Sequence, residues 1–150
     1  MLYWEDFAEG AVLETESELV TADDIRDFAT RFDPQPFHLS DEGARGTHFA
    51  RMAASGWHTC AISSGLMTRK FMALEMAGLG SPGIDEIRWL KPVYAGDRLR
   101  AKAEILEVRA SASRPGIGLI RNRLTTYNQH GDAVMTMLGT LFVRRRPNPA

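Results

Sequence analysis

The 150-residue chain has the size of one domain, and its 44% apolar and 25% charged residues are ordinary for a globular protein. A net charge of -1 gives no electrostatic basis for binding nucleic acid or an anionic membrane. The single cysteine, Cys60, excludes an internal disulfide and a cysteine-rich zinc site.

The opening stretch, MLYWEDFAEG, lacks the basic and apolar regions of a signal peptide. No apolar run is long enough to span a bilayer, so a cytoplasmic setting is expected. No repeat, low-complexity tract or long linker divides the sequence, which predicts one domain over residues 1–150.

In chain order, residues 11–20 alternate, with Leu13, Thr15, Ser17 and Leu19 on one face and Glu14, Glu16 and Glu18 on the other. That pattern predicts one strand with a wet face. Thr21 is placed to cap a helix whose first turn carries Asp23 and Asp24, where the helix dipole favours negative charge. Ile25, Phe28, Ala29 and Phe32 follow at helical spacing, and Pro34 stops the helix.

Next comes RFDPQPFHLS (31–40), with Asp33 and His38 five residues apart and proline on both sides of Gln35. It reads either as a stiff connector or as an acid and an imidazole held at a fixed separation. Residues 40–54 read as loop with a short helix capped by Ser40. A long helix is expected over 56–77, opened by Gly56 and closed by Gly78 and Gly80. Its small and apolar residues run nearly all round, which predicts burial. Four β-like segments follow (84–93, 97–108, 118–129 and 133–143), with turn signals YAGD (94–97) and QHGD (129–132) between them. The tail RRRPNPA reads as a solvated, frayed end. An antiparallel sheet with one apolar face needs a cover, and the 56–77 helix is the large candidate. The expected fold class is α+β, a sheet wrapped round one central helix.

Three motifs in this layout resemble those of the hot-dog fold, and within it the MaoC-like or R-specific enoyl-CoA hydratase family. DPQPFH is similar to the family's D-x-N-P-x-H, with Gln35 where Asn is usual. ASGWHTCAISSGLM is similar to the start of the hot-dog helix. LKPVYAGD (90–97) is common among hot-dog acyl-thioester enzymes. The resemblance implies Asp33 and His38 as the catalytic pair, Gly56 as the backbone donor facing the thioester oxygen, and Ser64 as support for the acid. Gln35, Phe37, Trp57 and His58 are weaker candidates for substrate contact, and Ala50, Arg51 and Met52 for shaping the acyl pocket. It also implies hydration of trans-2-enoyl thioesters to (R)-3-hydroxyacyl thioesters, or the reverse, with an acyl-CoA or acyl-carrier thioester as partner, no cofactor or metal, and a homodimer or larger symmetric assembly.

Those residue types suit that chemistry. An Asp and a His bracketing one water can carry both proton transfers. Prolines 34 and 36 restrict the chain between them, so their separation needs little extra ordering. The free N–H groups at a helix start can stabilise a developing enolate oxygen. Sequence alone leaves open which of the pair activates water, and two other functions: a hot-dog thioesterase, with Glu42 and Glu75 as spare carboxylates, and a non-catalytic thioester-binding protein.

Overall fold

A computed structural model of the chain describes residues 1–147. Where one N-terminal strand is expected, two short ones form, β1 (Val12–Glu14) and β2 (Glu18–Leu19). Both pair with the same neighbour, but the register slips by one residue between them. Thr15 explains the break. Its Oγ1 accepts the Ala101 N–H at 2.9 Å, so a side chain replaces a main-chain acceptor in the ladder.

Helix α1 (Ala22–Phe32) begins as expected. Thr21 Oγ1 accepts the Asp24 N–H at 3.1 Å, and Ile25 and Ala29 are buried. Residues 36–44 are not a plain connector. Pro36 opens a one-turn helix, α2 (Pro36–Leu39), where its fixed φ and missing N–H suit the first helical position. Ser40 then caps α3 (Asp41–Ala44), accepting the Gly43 N–H at 3.0 Å.

Helix α4 (Gly56–Ala73) is shorter than the expected 56–77. The following residues are drawn away from the helix by the N-terminus and the sheet. Leu2 donates its N–H to the Glu75 carbonyl, the Ala77 N–H returns to Leu2, and Gly78 bridges Val143. Glu75 therefore turns at φ +49°. Nor is α4 buried all round. Thr59, Ser63, Leu66 and Met67 face the sheet, while Trp57, Ala61, Ser64, Thr68 and Met72 are exposed or rim positions on its other side.

The four long strands are β3 (Gly83–Trp89), β4 (Arg98–Ala110), β5 (Ile117–Tyr127) and β6 (Ala133–Arg144), all paired antiparallel. The order is β1-β4-β5-β6-β3, with β2 added on β4. Gly96 and Gly131, at φ +94° and +79°, supply the turns that the YAGD and QHGD signals mark. The alternating inward residues Leu99, Ala101 and Ala103 of β4, Leu124 of β5 and Met135 and Met137 of β6 pack on Leu66 and Met67 of α4. The sheet wraps this helix in an α+β hot-dog arrangement. The basic tail is tied down rather than frayed up to Arg146. Its main-chain N–H donates to Glu5 at 2.9 Å and its guanidinium to Asp6 at 2.6 Å. Residues 148–150 of that tail lie outside the described residues.

No helix among the described residues is long and apolar enough to cross a membrane.

Candidate active site

The site forms where α1 ends, α2 turns and α4 begins. Asp33 is the residue after α1, and its N–H still donates to the Ala29 carbonyl at 2.9 Å, which anchors the acid to the helix. His38 lies in α2, and Ala53 holds that turn twice. The Ala53 N–H donates to the Phe37 carbonyl at 3.1 Å, and the Ala53 carbonyl lies 2.7 Å from His38 Nδ1. A carbonyl can only accept, so Nδ1 carries the proton and, in the neutral ring, Nε2 presents a lone pair. Residues 53 and 54 are themselves fixed to the chain after β3. Ala53 bridges Tyr94, and the Ala54 N–H donates to the Val93 carbonyl at 2.8 Å.

His38 Nε2 faces Asp33 Oδ2 at 3.4 Å, with side-chain exposures of 6% and 19%. The carboxylate is further held by two donors: Ser55 Oγ reaches Oδ2 at 2.7 Å, and Gln35 Nε2 reaches Oδ1 at 2.9 Å. Burial pushes the Asp33 carboxyl up, but the Ser55 and Gln35 hydrogen bonds, and the charge of His38 when its ring is protonated, outweigh it, so its pKa lies below the ordinary value. Asp33 is therefore ionised at neutral pH.

Asp33, Gln35 and His38 border a cleft of about 430 Å³ that also contains Gly56, Trp57, Thr59, His48, Phe49, Trp89, Leu90 and Lys91. Gly56 is the first residue of α4. Among the described residues nothing accepts its N–H. Ser55 caps the helix by accepting the Trp57 N–H at 3.2 Å. The glycine is required for a reason different from ligand approach: an added Cβ would lie 2.5 Å from Trp89 Cε2. Trp89 Nε1 donates to the Gly56 carbonyl at 2.9 Å, and its ring meets that of Trp57 edge-on at 5.3 Å between centroids. Both indoles stay about half exposed, Trp57 at 55% and Trp89 at 47%, and wall the cleft.

The structure brings Asp33, His38, Gln35, Gly56 and Trp57 together. Phe37 contributes indirectly, its ring packing edge-on against His38 at 4.6 Å. Two expected residues go elsewhere. Ser64 does not reach Asp33 within the chain. It lies in a separate apolar groove of about 420 Å³ along the other side of α4, beside Met67, Phe71 and Met72. Eight residues from Gly56 carry the helix well past two turns, whereas Ser63, at seven, returns to the inner face and pairs with Thr126 Oγ1 at 2.7 Å. His58 is also turned away, stacked on Phe28 of α1 at 4.7 Å. Arg51 points over the Tyr94 ring at 4.6 Å, and Met52 is buried in the core, so the loop residues bordering the cleft are His48, Phe49 and Ala54. Sequence reasoning missed Ser55, His48, Phe49 and Trp89. A signal existed for Ser55, since serine directly before a helix is a favoured N-cap.

Comparison with known proteins agrees with the fold. The family model described as "MaoC like domain" matches residues 6–128. A crystal structure of a MaoC-like dehydratase from Rhodospirillum rubrum superposes with a TM-score of 0.88 at 37% identity, covering 98% of this chain and 99% of that one. YdeM of Bacillus subtilis, an uncharacterized protein, is 34% identical over 125 residues, 83% of this chain and 86% of its own length. Mesaconyl-CoA hydratase of Cereibacter sphaeroides is 32% identical over 77 residues, 51% of this chain but 22% of that protein. The chain belongs to the MaoC-like domain family, with its hot-dog fold.

Proposed function

We propose that this protein adds water to trans-2-enoyl thioesters to give (R)-3-hydroxyacyl thioesters, or removes it in reverse. The observation that carries this reading is the pairing of Asp33 Oδ2 and His38 Nε2 at 3.4 Å in the cleft that Gly56 opens into. The family's MaoC-like dehydratases and the partial match to a mesaconyl-CoA hydratase support it. R stereochemistry follows from the resemblance of the DPQPFH motif.

His38 Nε2 is the proton acceptor in this scheme. Asp33 is already held ionised and both its oxygens accept hydrogen bonds, whereas in the neutral imidazole Nε2 carries the lone pair that can take a proton. A water against Nε2 gives up a proton there as its oxygen bonds Cβ. The Cα–Cβ electron pair shifts toward the carbonyl, and the resulting enolate oxygen is met by the Gly56 N–H at the positive end of α4. The imidazolium, stabilised by Asp33, then returns the proton to Cα. Water adds across the double bond with no net change at the protein. A donor such as the Gly56 N–H contributes roughly 3–4 kcal/mol at the transition state. The scheme needs no metal or cofactor, and coenzyme A or an acyl carrier protein enters as part of the substrate.

Thioester hydrolysis is less well supported. Among the described residues Asp33 is the sole carboxylate bordering the cleft. Glu42 lies outside it in α3, and Glu75 sits beyond the far end of α4, beside the Met1 amino group. A purely binding role leaves the Asp33–His38 geometry without a use.

The strand β3 is an edge, and Ile84 and Trp89 on it are exposed. Such edges are usually paired or covered, which supports the expected homodimer, and light scattering on the purified protein would test it. The activity itself is tested by following loss of the enoyl-thioester absorbance over a panel of enoyl-CoA substrates, with chiral analysis of the product. Turnover to the R-hydroxy product is expected, and thioester cleavage without hydration would replace this reading with hydrolysis.

A further inference from the structure

We propose that Ser55 is a positioning residue that joins the two halves of the site, holding the carboxylate and the oxyanion donor in register through one hydroxyl. The inference rests on the roles proposed for Asp33 and Gly56.

Ser55 is fully buried. Its hydroxyl has one proton, and its surroundings fix where that proton points. Trp57 donates its N–H to Oγ at 3.2 Å, so the hydroxyl must accept there. Its own proton goes to Asp33 Oδ2 at 2.7 Å, a charge-assisted bond spanning 22 residues of sequence. The backbone cannot drift to relax either contact. Ala54 is tied to Val93 on one side, and the Ser55 carbonyl accepts the Thr59 N–H at 3.1 Å on the other. The peptide that joins Ser55 to Gly56 carries the N–H assigned to the enolate oxygen. One atom thus sets the distance between the group that steadies the imidazolium and the group that steadies the enolate. A protonated Asp33 is a weaker acceptor and loosens this link. The acid state and the placement of the donor therefore change together.

Two variants separate this role from simple helix capping. Ser55→Ala removes both the cap and the donor. Ser55→Gly keeps nearly normal capping ability but has no hydroxyl for Asp33. Carboxyl carbons would be followed by NMR against pH in the intact, aspartate-labelled protein, with the Asp33 signal assigned from Asp33→Asn. Turnover would be measured in parallel. In both Ser55 variants the Asp33 titration should move up toward the ordinary carboxylate range. In parallel, kcat should fall roughly 10- to 100-fold, the worth of one hydrogen bond to a charged group, with KM within about threefold. An unchanged Asp33 titration, or normal kcat in Ser55→Gly alongside a loss in Ser55→Ala, would reduce Ser55 to a cap and overturn the proposal. The NMR measurement needs no substrate. If the wild type fails to hydrate enoyl thioesters while Asp33 still shifts in both variants, the proposed function falls and the link between Ser55 and Asp33 stands.

Discussion

The Trp89 indole occupies the space that a side chain on Gly56 would need: a Cβ there would lie within 2.5–2.8 Å of three ring atoms. The same ring donates Nε1–H to the Gly56 carbonyl. The glycine that opens α4 and the last residue of the edge strand β3 are therefore one packing unit. Gly56→Ala should displace the indole, cost about 1–3 kcal/mol of stability as overpacking does, and lower turnover by moving the N–H. Adding Trp89→Ala to that variant should recover much of the stability. Thermal unfolding of the two single variants and the double variant tests it, and additive losses would mean that the two residues do not share the space.

Asp33 and His38 should behave as one catalytic unit. Removing a positioned acid or base typically costs on the order of 10²–10⁴-fold. Asp33→Asn and His38→Ala should each lose activity within that range, and the double variant should lose little more, because the pair acts as a unit. Asp33 also links pH to stability. Its folded pKa lies below its ordinary value of 3.8. Its contribution is thus fully present above that value and is lost as pH falls through the folded pKa. Asp33→Asn should flatten the acid limb of a thermal-stability profile below about pH 4; an unchanged limb would show that other carboxylates dominate it.

Much of this site was legible because its parts are local. The spacing of Asp33 and His38, the two prolines and a glycine at the head of a long helix are all properties of short segments. The four long strands were legible from alternation and turn residues. What escaped depends on contacts across the sequence. Ser55 meets an acid 22 positions away, and Trp89 meets a glycine 33 positions away. The helix α4 looked continuous to Gly78 because nothing local shows that Leu2 pairs with residues 75 and 77. The N-terminal strand looked unbroken because alternation does not reveal that the Thr15 hydroxyl will enter the ladder. Ser64 was placed by resemblance, and helix geometry turns it to the other face.

The turn bearing His38 depends on a second glycine. A Cβ on Gly43 of α3 would run into the Pro36 carbonyl, the first residue of α2. Gly43→Ala should therefore push α2 away from Ala53, weaken the His38 Nδ1–H bond and reduce kcat/KM, with a stability cost of about 1–3 kcal/mol. Gly116→Ala is the matched control, since nothing lies within 4 Å of a Cβ there and its φ is not positive. Equal effects from the two substitutions would refute a special contact between α2 and α3.

The histidine that the fold turns away from the site should respond to pH on its own. His58 is buried against Phe28, and among the described residues its Nδ1 has no hydrogen-bond partner. Burial lowers its pKa from the ordinary 6.5, against the opposing pull of Asp24 and Glu18. Below 6.5 the unfolded chain takes up a proton that the folded chain refuses, so stability declines as pH drops from 6.5 toward the folded pKa and the loss levels off beneath it. His58→Phe keeps the aromatic stack on Phe28 and removes the titrating group. Between pH 7.5 and 5 the wild type should lose thermal stability that His58→Phe retains, about the pH where the unfolded imidazole charges. Parallel profiles for the two proteins would show that His58 is free to protonate in the folded state, at odds with its burial.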